Sequence, residues 1–262
     1  MVTNLDDIAL LSPLRYKNTS LKLFLVIFGL LTGLLSDTPL LPLFIAVCMI
    51  AATIIFGKIP VKFYFKLFAA LLGFALISCI ILLFFSTGED SPVLWSIDIL
   101  WWTFSITTAS LNQAVLVFSR TINGLACIFF LSMTTPMLEM FSYFKRVSFL
   151  DVFIELAMLI YRYIFVFLET AINIQSSQKM RFGYKGFKNS IRSLGMLVGT
   201  LFVQTLEQGD KLYLSMNSRC YTGKLPFYTQ KYKIKATDAV LSVLFIGATI
   251  VVFIYTRGYQ FF

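Results

Sequence analysis

Long apolar stretches separated by short polar ones dominate the chain. About 20 apolar residues are needed to cross the hydrocarbon core of a bilayer as a helix, and five stretches are predicted to do so. They are residues 21–35, 40–56, 65–85, 109–134 and 236–255. The pattern therefore predicts an all-α polytopic membrane protein with about five transmembrane helices.

An aromatic segment lies between the third and fourth predicted spans. Residues 93–105 contain Trp95, Trp101 and Trp102, and tryptophan prefers the headgroup level of a membrane. We expect this segment to lie at the interface or to re-enter the membrane only partly.

Arg120 stands in the middle of the fourth predicted span. A charge at that depth costs at least about 3 kcal/mol on insertion scales, so it usually faces the interior of a helix bundle. It can pair with a polar group or a backbone carbonyl and fix packing, or it can serve a partner or a substrate path. Packing is the favoured interpretation.

The character of the chain changes between residues 135 and 235, which are polar and basic. A short amphipathic segment covers residues 136–147, and a long helical pattern covers 151–179. Ser190 is placed to cap a second long helix that ends near Ser218.

This second helix carries an apolar stripe with helical spacing. Its members are Leu194, Leu197, Val198, Leu201, Thr205, Leu212 and Met216. The stripe can cover the preceding helix or a groove on another protein, and both can hold with different faces. Three regions follow: a membrane bundle with its aromatic segment (1–134), a cytoplasmic or interfacial helical region (135–235), and the last span with the C-terminus (236–262).

Charge gives an orientation to these regions. The chain has 262 residues and a net charge of +9, and its basic residues flank the spans at 15–22 and 58–66 and fill 145–235. The loops at 36–39 and 87–98 carry acids and no lysine or arginine. The positive-inside rule then places the N-terminus and residues 135–235 in the cytoplasm and the C-terminus outside a cell membrane. Lysines that flank apolar spans are a poor basis for nucleic-acid binding.

Catalytic chemistry finds little support in the sequence. There is no histidine, and Cys48, Cys79, Cys127 and Cys220 show no metal-ligand spacing. No GxxxxGK[ST] phosphate loop occurs. We assign no catalytic and no metal-binding residue. A membrane-embedded enzyme or a self-sufficient channel is the alternative class, which histidines or carboxylates deep in the spans would favour.

Two arginine motifs bracket the second long helix. One is Met180-Arg181-Phe182-Gly183-Tyr184 and the other is Ser218-Arg219-Cys220-Tyr221-Thr222-Gly223. Cations near helix C-termini are favoured by roughly 0.3–1 kcal/mol, which is an ordinary reason for both arginines. Arginine is also suited to bidentate contacts with a carboxylate in a partner groove. Spacing alone leaves both interpretations open.

At these motifs the chain resembles the transmembrane (T) component of energy-coupling factor (ECF) transporters, and most closely their cobalt-type, CbiQ-like branch. That family carries two short motifs, ideally Ala-Arg-Gly, near the ends of cytoplasmic coupling helices. The resemblance covers nearly the whole chain. Further segments typical of the family are 13–22, 134–136, 161–163, 193–197 and 206–216.

The resemblance implies a non-catalytic coupling subunit in the cell membrane. It would bind two cytoplasmic ATP-binding-cassette subunits and a membrane S component that captures the substrate. ATP and Mg would be bound by the partners, with no cofactor in this chain. Cobalt is the expected substrate, with nickel or a vitamin as the alternative. The residues implied in binding the ATPase subunits are Arg181, Gly183, Tyr184, Ser218, Arg219, Cys220, Tyr221 and Gly223.

The motifs depart from the family pattern at positions that include 180, 218 and 220. Met180 and Ser218 replace alanines, and Cys220 replaces the glycine. Because a residue with a Cβ atom disfavours positive φ, we expect the backbone at position 220 not to depend on a positive φ.

Overall fold

The computed structural model describes residues 5–85, 93–99, 102–145, 151–223 and 235–256. The chain forms two compact units. The first unit comprises Met1–Met140 and Gln230–Phe262, and the second comprises Phe141–Thr229.

The first unit is built mainly from apolar helices. They are α1 (Leu5–Leu11), α2 (Thr19–Leu34), α3 (Leu40–Ala51), α4 (Val61–Phe85), α5 (Thr108–Thr134), the start of α6 (Met137–Phe144) and α9 (Ala236–Thr256). A 3-10 turn, Pro13–Tyr16, precedes α2, and a π-helical turn, Ala52–Phe56, continues α3.

Helix α5 is the central element of the first unit, in contact with α1, α2, α3 and α4. One apolar cluster joins it to α2 and α3, and another joins it to α4. In the second cluster the fully buried Tyr64 stacks on Phe68 and meets Phe129 edge-on, with ring centroids 5.7 and 5.8 Å apart. Helix α5 therefore joins the apolar faces of its neighbours into one core.

Two glycines one turn apart bring α2 close to its neighbours. Gly29 and Gly33 form a GxxxG pair, a pattern that lets helix backbones approach closely. Asn123 of α5 is only 2% exposed and donates through Nδ2 to the Gly29 carbonyl at 3.1 Å. A Cβ atom on Gly33 would overlap the same Asn123 amide. The α2–α5 contact thus depends on the absence of a side chain at position 33.

The structure agrees with the packing interpretation of Arg120. Its Nη2 donates to the Ser36 carbonyl at 2.6 Å, in the turn between α2 and α3. The buried Ser36 hydroxyl in turn donates to the Thr38 carbonyl at 2.9 Å. The cation therefore ties α5 to a tight turn through a backbone carbonyl, one of the two kinds of partner expected.

A second set of polar contacts surrounds the end of α5. Lys22 is buried and donates through Nζ to the carbonyl of Thr134, the last residue of α5, at 2.8 Å. A lysine in this position satisfies a carbonyl that the helix itself leaves free. Arg15 pairs with Glu139 of α6 at 3.3 Å. Burial raises the pKa of the Glu139 carboxyl, and the nearby cations Lys22 and Arg15 partly offset this.

The helical polytopic fold expected from the sequence is confirmed. Within the described residues, three helices have the length and composition to cross a membrane: Val61–Leu83, Ser110–Thr134 and Ala236–Thr256. The other two predicted spans correspond to the shorter apolar helices Thr19–Leu35 and Leu40–Phe56. At 1.5 Å per residue, 17 residues extend about 26 Å, less than the hydrocarbon thickness of about 30 Å.

A hairpin interrupts the helical pattern of the described residues, and the sequence pattern did not predict it. Strands β1 (Val93–Ile99) and β2 (Trp102–Thr107) pair antiparallel, from Val93 opposite Thr107 to Ile99 opposite Trp102. Both segments are rich in β-branched and aromatic residues, which favour strands. Thr107 and Ser110 then form a capping box that begins α5. The interfacial position of residues 93–105 stays a prediction. Residues 87–92 of the predicted acidic loop lie outside the described part of the chain.

The second unit contains two long helices, α7 (Asp151–Met180) and α8 (Phe187–Asn217). Their bounds agree with the predicted helices except at the start of α8. Gly186, with φ +87°, precedes the first residue of α8. The capping role predicted for Ser190 is wrong, because its hydroxyl donates to the Gly186 carbonyl one turn back, at 2.9 Å.

Candidate functional site

The first arginine motif forms the corner between α7 and α8. The amide of Phe182 donates to the Lys179 carbonyl at 3.1 Å, and that of Gly183 donates to the Gln178 carbonyl at 2.9 Å. These two bonds define a Schellman motif, which ends a helix with one residue in the left-handed conformation. That residue is Phe182, with φ +58°. Arg181 is therefore the last residue before the reversal.

Side-chain hydrogen bonds join α7 and α8 at this corner. Gln178 donates through Nε2 to the Ser193 carbonyl of α8 at 3.0 Å and accepts from the Tyr184 hydroxyl at 2.8 Å. The buried Ser193 hydroxyl donates to the Gly183 carbonyl at 2.7 Å. The end of α7 is thus bonded to the second turn of α8, and the backbone that carries Arg181 is held in one geometry.

Gly183 has no room for a side chain. A Cβ atom there would lie 2.7 Å from Ser193 Oγ and 3.0 Å from the Gln178 carbonyl oxygen. Both distances are below ordinary van der Waals contact. The glycine is required by the close approach of α7 and α8 at this corner.

The second arginine motif repeats the same backbone geometry at the other end of α8. The amide of Cys220 donates to the Asn217 carbonyl at 3.0 Å, and that of Tyr221 donates to the Met216 carbonyl at 3.1 Å. Cys220 is the left-handed residue, with φ +57°, and Arg219 again precedes it. Our expectation for position 220 is wrong: the Schellman bonds impose a positive φ there although the residue is not glycine.

The remaining site residues of the second motif surround this turn. The Ser218 hydroxyl donates to the Ser215 carbonyl at 3.0 Å, and Tyr221 is half-buried. Gly223 has φ +84° with open space around its α-carbon. Glycine is therefore suited to position 223 because of the positive φ. At position 183 it is suited because a side chain has no room there.

Both arginines are exposed, and the first lies in a basic surface. The sequence from residue 170 to residue 206 contains no acidic residue. The cations of the first corner are Lys179, Arg181, Lys185, Lys188 and Arg192, and all are exposed. None of these five is among the ion pairs of the described residues. The corner therefore presents positive charge that forms no ion pair within the described residues.

The apolar stripe of α8 has its expected partner within the chain. Leu197 is buried, and Leu201, Thr205 and Leu212 line a groove of about 600 Å³ whose other wall is α7. Leu194 and Val198 remain exposed. The stripe therefore faces the preceding helix in part and leaves apolar surface free on α8.

Two residues of the site were not identified from the sequence as functional. Gln178 and Ser193 are 15 positions apart, so no local pattern joins them. A signal was available, because Ser193 begins a segment typical of the ECF T components and Gln178 lies two positions before the first motif. In the described part of the chain, no group of three or more Asp, Glu or Cys residues could hold a metal ion.

The fold and the site define a polytopic helical membrane protein whose long basic helices end in exposed arginines. Its sequence matches the profile of the CbiQ family, described as cobalt transport protein, over residues 11–229. The chain therefore belongs to the CbiQ cobalt transport protein family.

Three relatives illustrate this membership. The chain is 40% identical over 243 residues to a putative fused cobalt transport protein, CbiMQ, of Methanocorpusculum labreanum, covering 93% of this chain and 40% of the relative's length. It is 30% identical over 151 residues to the cobalt transport protein CbiQ of Salmonella typhimurium, covering 58% and 67%. It is 25% identical over 223 residues to the energy-coupling factor transporter transmembrane protein EcfT of Lactococcus lactis, covering 79% and 80%.

Proposed function

We propose that this chain is the energy-coupling T subunit of an ECF-type importer for cobalt. It would link ATP hydrolysis by two cytoplasmic ATPase subunits to substrate uptake by a membrane S component. ATP and Mg would be bound by the ATPase subunits. The names of the Lactococcus and Methanocorpusculum relatives support the transporter class and the substrate.

The observation that carries the proposal is the shared geometry of the two arginine motifs. Arg181 and Arg219 occupy the same position in two Schellman motifs, although the residues around them differ. Ordinary charge preference at a helix end favours a cation somewhere in the last turn. It does not require the same position relative to a left-handed residue. A repeated, exposed arginine is suited to two equivalent carboxylate sites.

The mechanical part of the proposal rests on α8 and its locked corner. A helix of 31 residues is about 46 Å long. The Gln178 and Ser193 hydrogen bonds tie α7 to α8 at one end of this lever. A displacement of an ATPase subunit that holds Arg181 would therefore move both helices together rather than bend the connection.

Orientation belongs to the same proposal. For the ATPase subunits to reach the arginines, the α7–α8 corner must be cytoplasmic, as the positive-inside rule predicts. Asp37 and Lys185 are both exposed and are predicted on opposite sides. In a C220S background, an impermeant thiol reagent added to intact cells should label D37C and leave K185C unlabelled. The reverse labelling would contradict the orientation.

Co-purification tests the coupling role directly. The tagged full-length chain should recover ATP-binding-cassette subunits from membranes of cells that express the whole transporter. R181A and R219A should each weaken this association by at least about 2 kcal/mol, roughly 30-fold, because a charged partner is left unpaired. The double variant should lose uptake of radioactive cobalt.

The matched control is K185A, which removes an exposed cation from the same turn without touching the repeated position. It should keep normal recovery and uptake. A double arginine variant with normal ATPase recovery and normal uptake would refute the coupling role. Transport of nickel or a vitamin instead of cobalt, with the arginine dependence intact, would replace only the substrate.

A further inference from the structure

We propose that Phe182 is an apolar anchor that seats the first arginine motif in a groove of the ATPase partner, so that the two motifs dock with unequal strength. This inference rests on the proposed coupling function. It concerns Phe182, a residue of the first motif to which the proposed function assigns no role.

The starting point is a strained residue whose side chain stays largely exposed. Phe182 is held at φ +58° by the two Schellman hydrogen bonds, a conformation that costs an L-residue roughly 1–2 kcal/mol relative to glycine. Its side chain is nevertheless 76% exposed. Glycine would form the same turn without strain, and a side chain this exposed gains little packing in the isolated chain to offset that strain. Strain of this kind is typical of functional sites.

The residues around Phe182 indicate that its side chain binds in a groove of another protein. Met180 and Phe187, at the two ends of the same corner, are 84% and 83% exposed. Exposed aromatic side chains beside an arginine are the usual composition of an energetic centre in a protein interface. The corner also carries five exposed cations and no acid. A complementary partner would combine an apolar pocket for Phe182 with a carboxylate for Arg181.

The second motif provides an internal comparison. Cys220 occupies the equivalent left-handed position with nearly the same φ, +57°, and is also exposed. Its side chain is small and cannot fill a pocket made for a phenyl ring. The backbone strain is therefore shared by both motifs, while the apolar anchor is present only in the first. This difference separates strain from binding in an experiment.

The experiment measures stability and affinity in the same variants. The full-length chain is purified in detergent, and the probe is the ATP-binding-cassette subunit recovered in the co-purification above, purified on its own. F182G should raise the apparent Tm by about 2–8 °C, because the strain is relieved, yet weaken ATPase binding about tenfold or more. C220G should raise the Tm similarly, because the same strain is relieved, and should weaken ATPase binding less than F182G does, because no apolar anchor is lost. F182L, which keeps an apolar side chain, should retain most of the affinity.

Several results would overturn the inference. F182G with unchanged affinity, while R181A weakens binding, would reject the anchor and leave the coupling function intact. Unchanged affinity in both variants would reject ATPase docking at this corner. A fall in both Tm and affinity for F182G would show a structural role instead.

A membrane surface is the alternative binding partner for an aromatic side chain that is surrounded by cations. F182W can be reconstituted in vesicles of phosphatidylcholine and phosphatidylglycerol with brominated acyl chains. Quenching no greater than that of the wild type, which has three native tryptophans, is the expected result. Clear additional quenching would place position 182 in lipid and contradict the protein groove.

Discussion

Substitution of Gly183 by alanine tests whether the corner that carries Arg181 is rigid for the reason given. The new Cβ atom would lie 2.7 Å from Ser193 Oγ and 3.0 Å from the Gln178 carbonyl oxygen. Ser193 Oγ cannot move away freely, because it is buried and donates to the Gly183 carbonyl at 2.7 Å. The Gln178 carbonyl already accepts the Gly183 amide. G183A must therefore open part of this network.

The expected cost follows from these contacts. Forcing one carbon into a packed site costs about 1–3 kcal/mol, and loss of the Ser193 hydrogen bond alone costs about 1 kcal/mol. Since 1.4 kcal/mol is a factor of ten, the corner should open about 5- to 140-fold more often. Hydrogen exchange measured by mass spectrometry over residues 178–193 should accelerate accordingly, because local opening exposes the amides of Phe182 and Gly183.

A matched control and a double variant make the test specific. Gly195 lies in α8 with open space around its α-carbon, so G195A should not accelerate exchange and should strengthen the helix. In G183A/S193A the clashing hydroxyl is absent, and the combined effect should be smaller than the sum of the single effects. Purely additive costs, or unchanged exchange in G183A, would refute the close-approach argument.

Two further predictions concern the first unit. G33A should destabilise the detergent-solubilised protein by about 1–3 kcal/mol, because its Cβ would overlap the Asn123 amide. The control G73A, in open space on α4, should not lower the Tm. Equal effects of the two variants would contradict the packing role of Gly33. Burial raises the pKa of Glu139, so the folded state holds that proton more tightly, and the stability contributed by this group is lost as pH rises through its folded pKa. The difference in stability between the wild type and E139Q, measured by thermal melts, should therefore fall from about pH 4 to pH 7. A difference that rises with pH would show that the pair with Arg15 dominates instead.

Much of the secondary structure could be predicted from local pattern. Apolar runs located all five apolar helices, and the bounds of α7 matched to within one residue. Helical periodicity is a property of neighbouring residues, so it is present in the sequence itself. The start of α8 was misplaced because Ser190, a good capping residue, forms its bond one turn back in the helix. The hairpin at residues 93–107 was missed because its aromatic content was attributed to a membrane interface.

The candidate site was found in outline but not in geometry. Both arginines were identified from repetition and from the resemblance to the ECF T components. The positive φ of Cys220 was excluded in advance on the ground that glycine prefers that conformation. Preference is a small energy, and two backbone hydrogen bonds at the helix end outweigh it. The role of Phe182 could not be seen at all, because neither its strain nor its exposure is visible in a sequence.

By itself, then, the sequence determined where the apolar helices lie, where positive charge collects, and that two arginines end the long helices, because these follow from residue type and spacing along one segment. Only the tertiary structure decided that Asn123 leaves no room for a side chain at Gly33, that Arg120 binds the Ser36 carbonyl, and that hydrogen bonds of Gln178 and Ser193 join α7 to α8. These contacts join residues separated by 10 positions, as Gly183 and Ser193 are, up to 90, as Gly33 and Asn123 are. They depend on how closely two backbones approach, which no local pattern of side chains specifies.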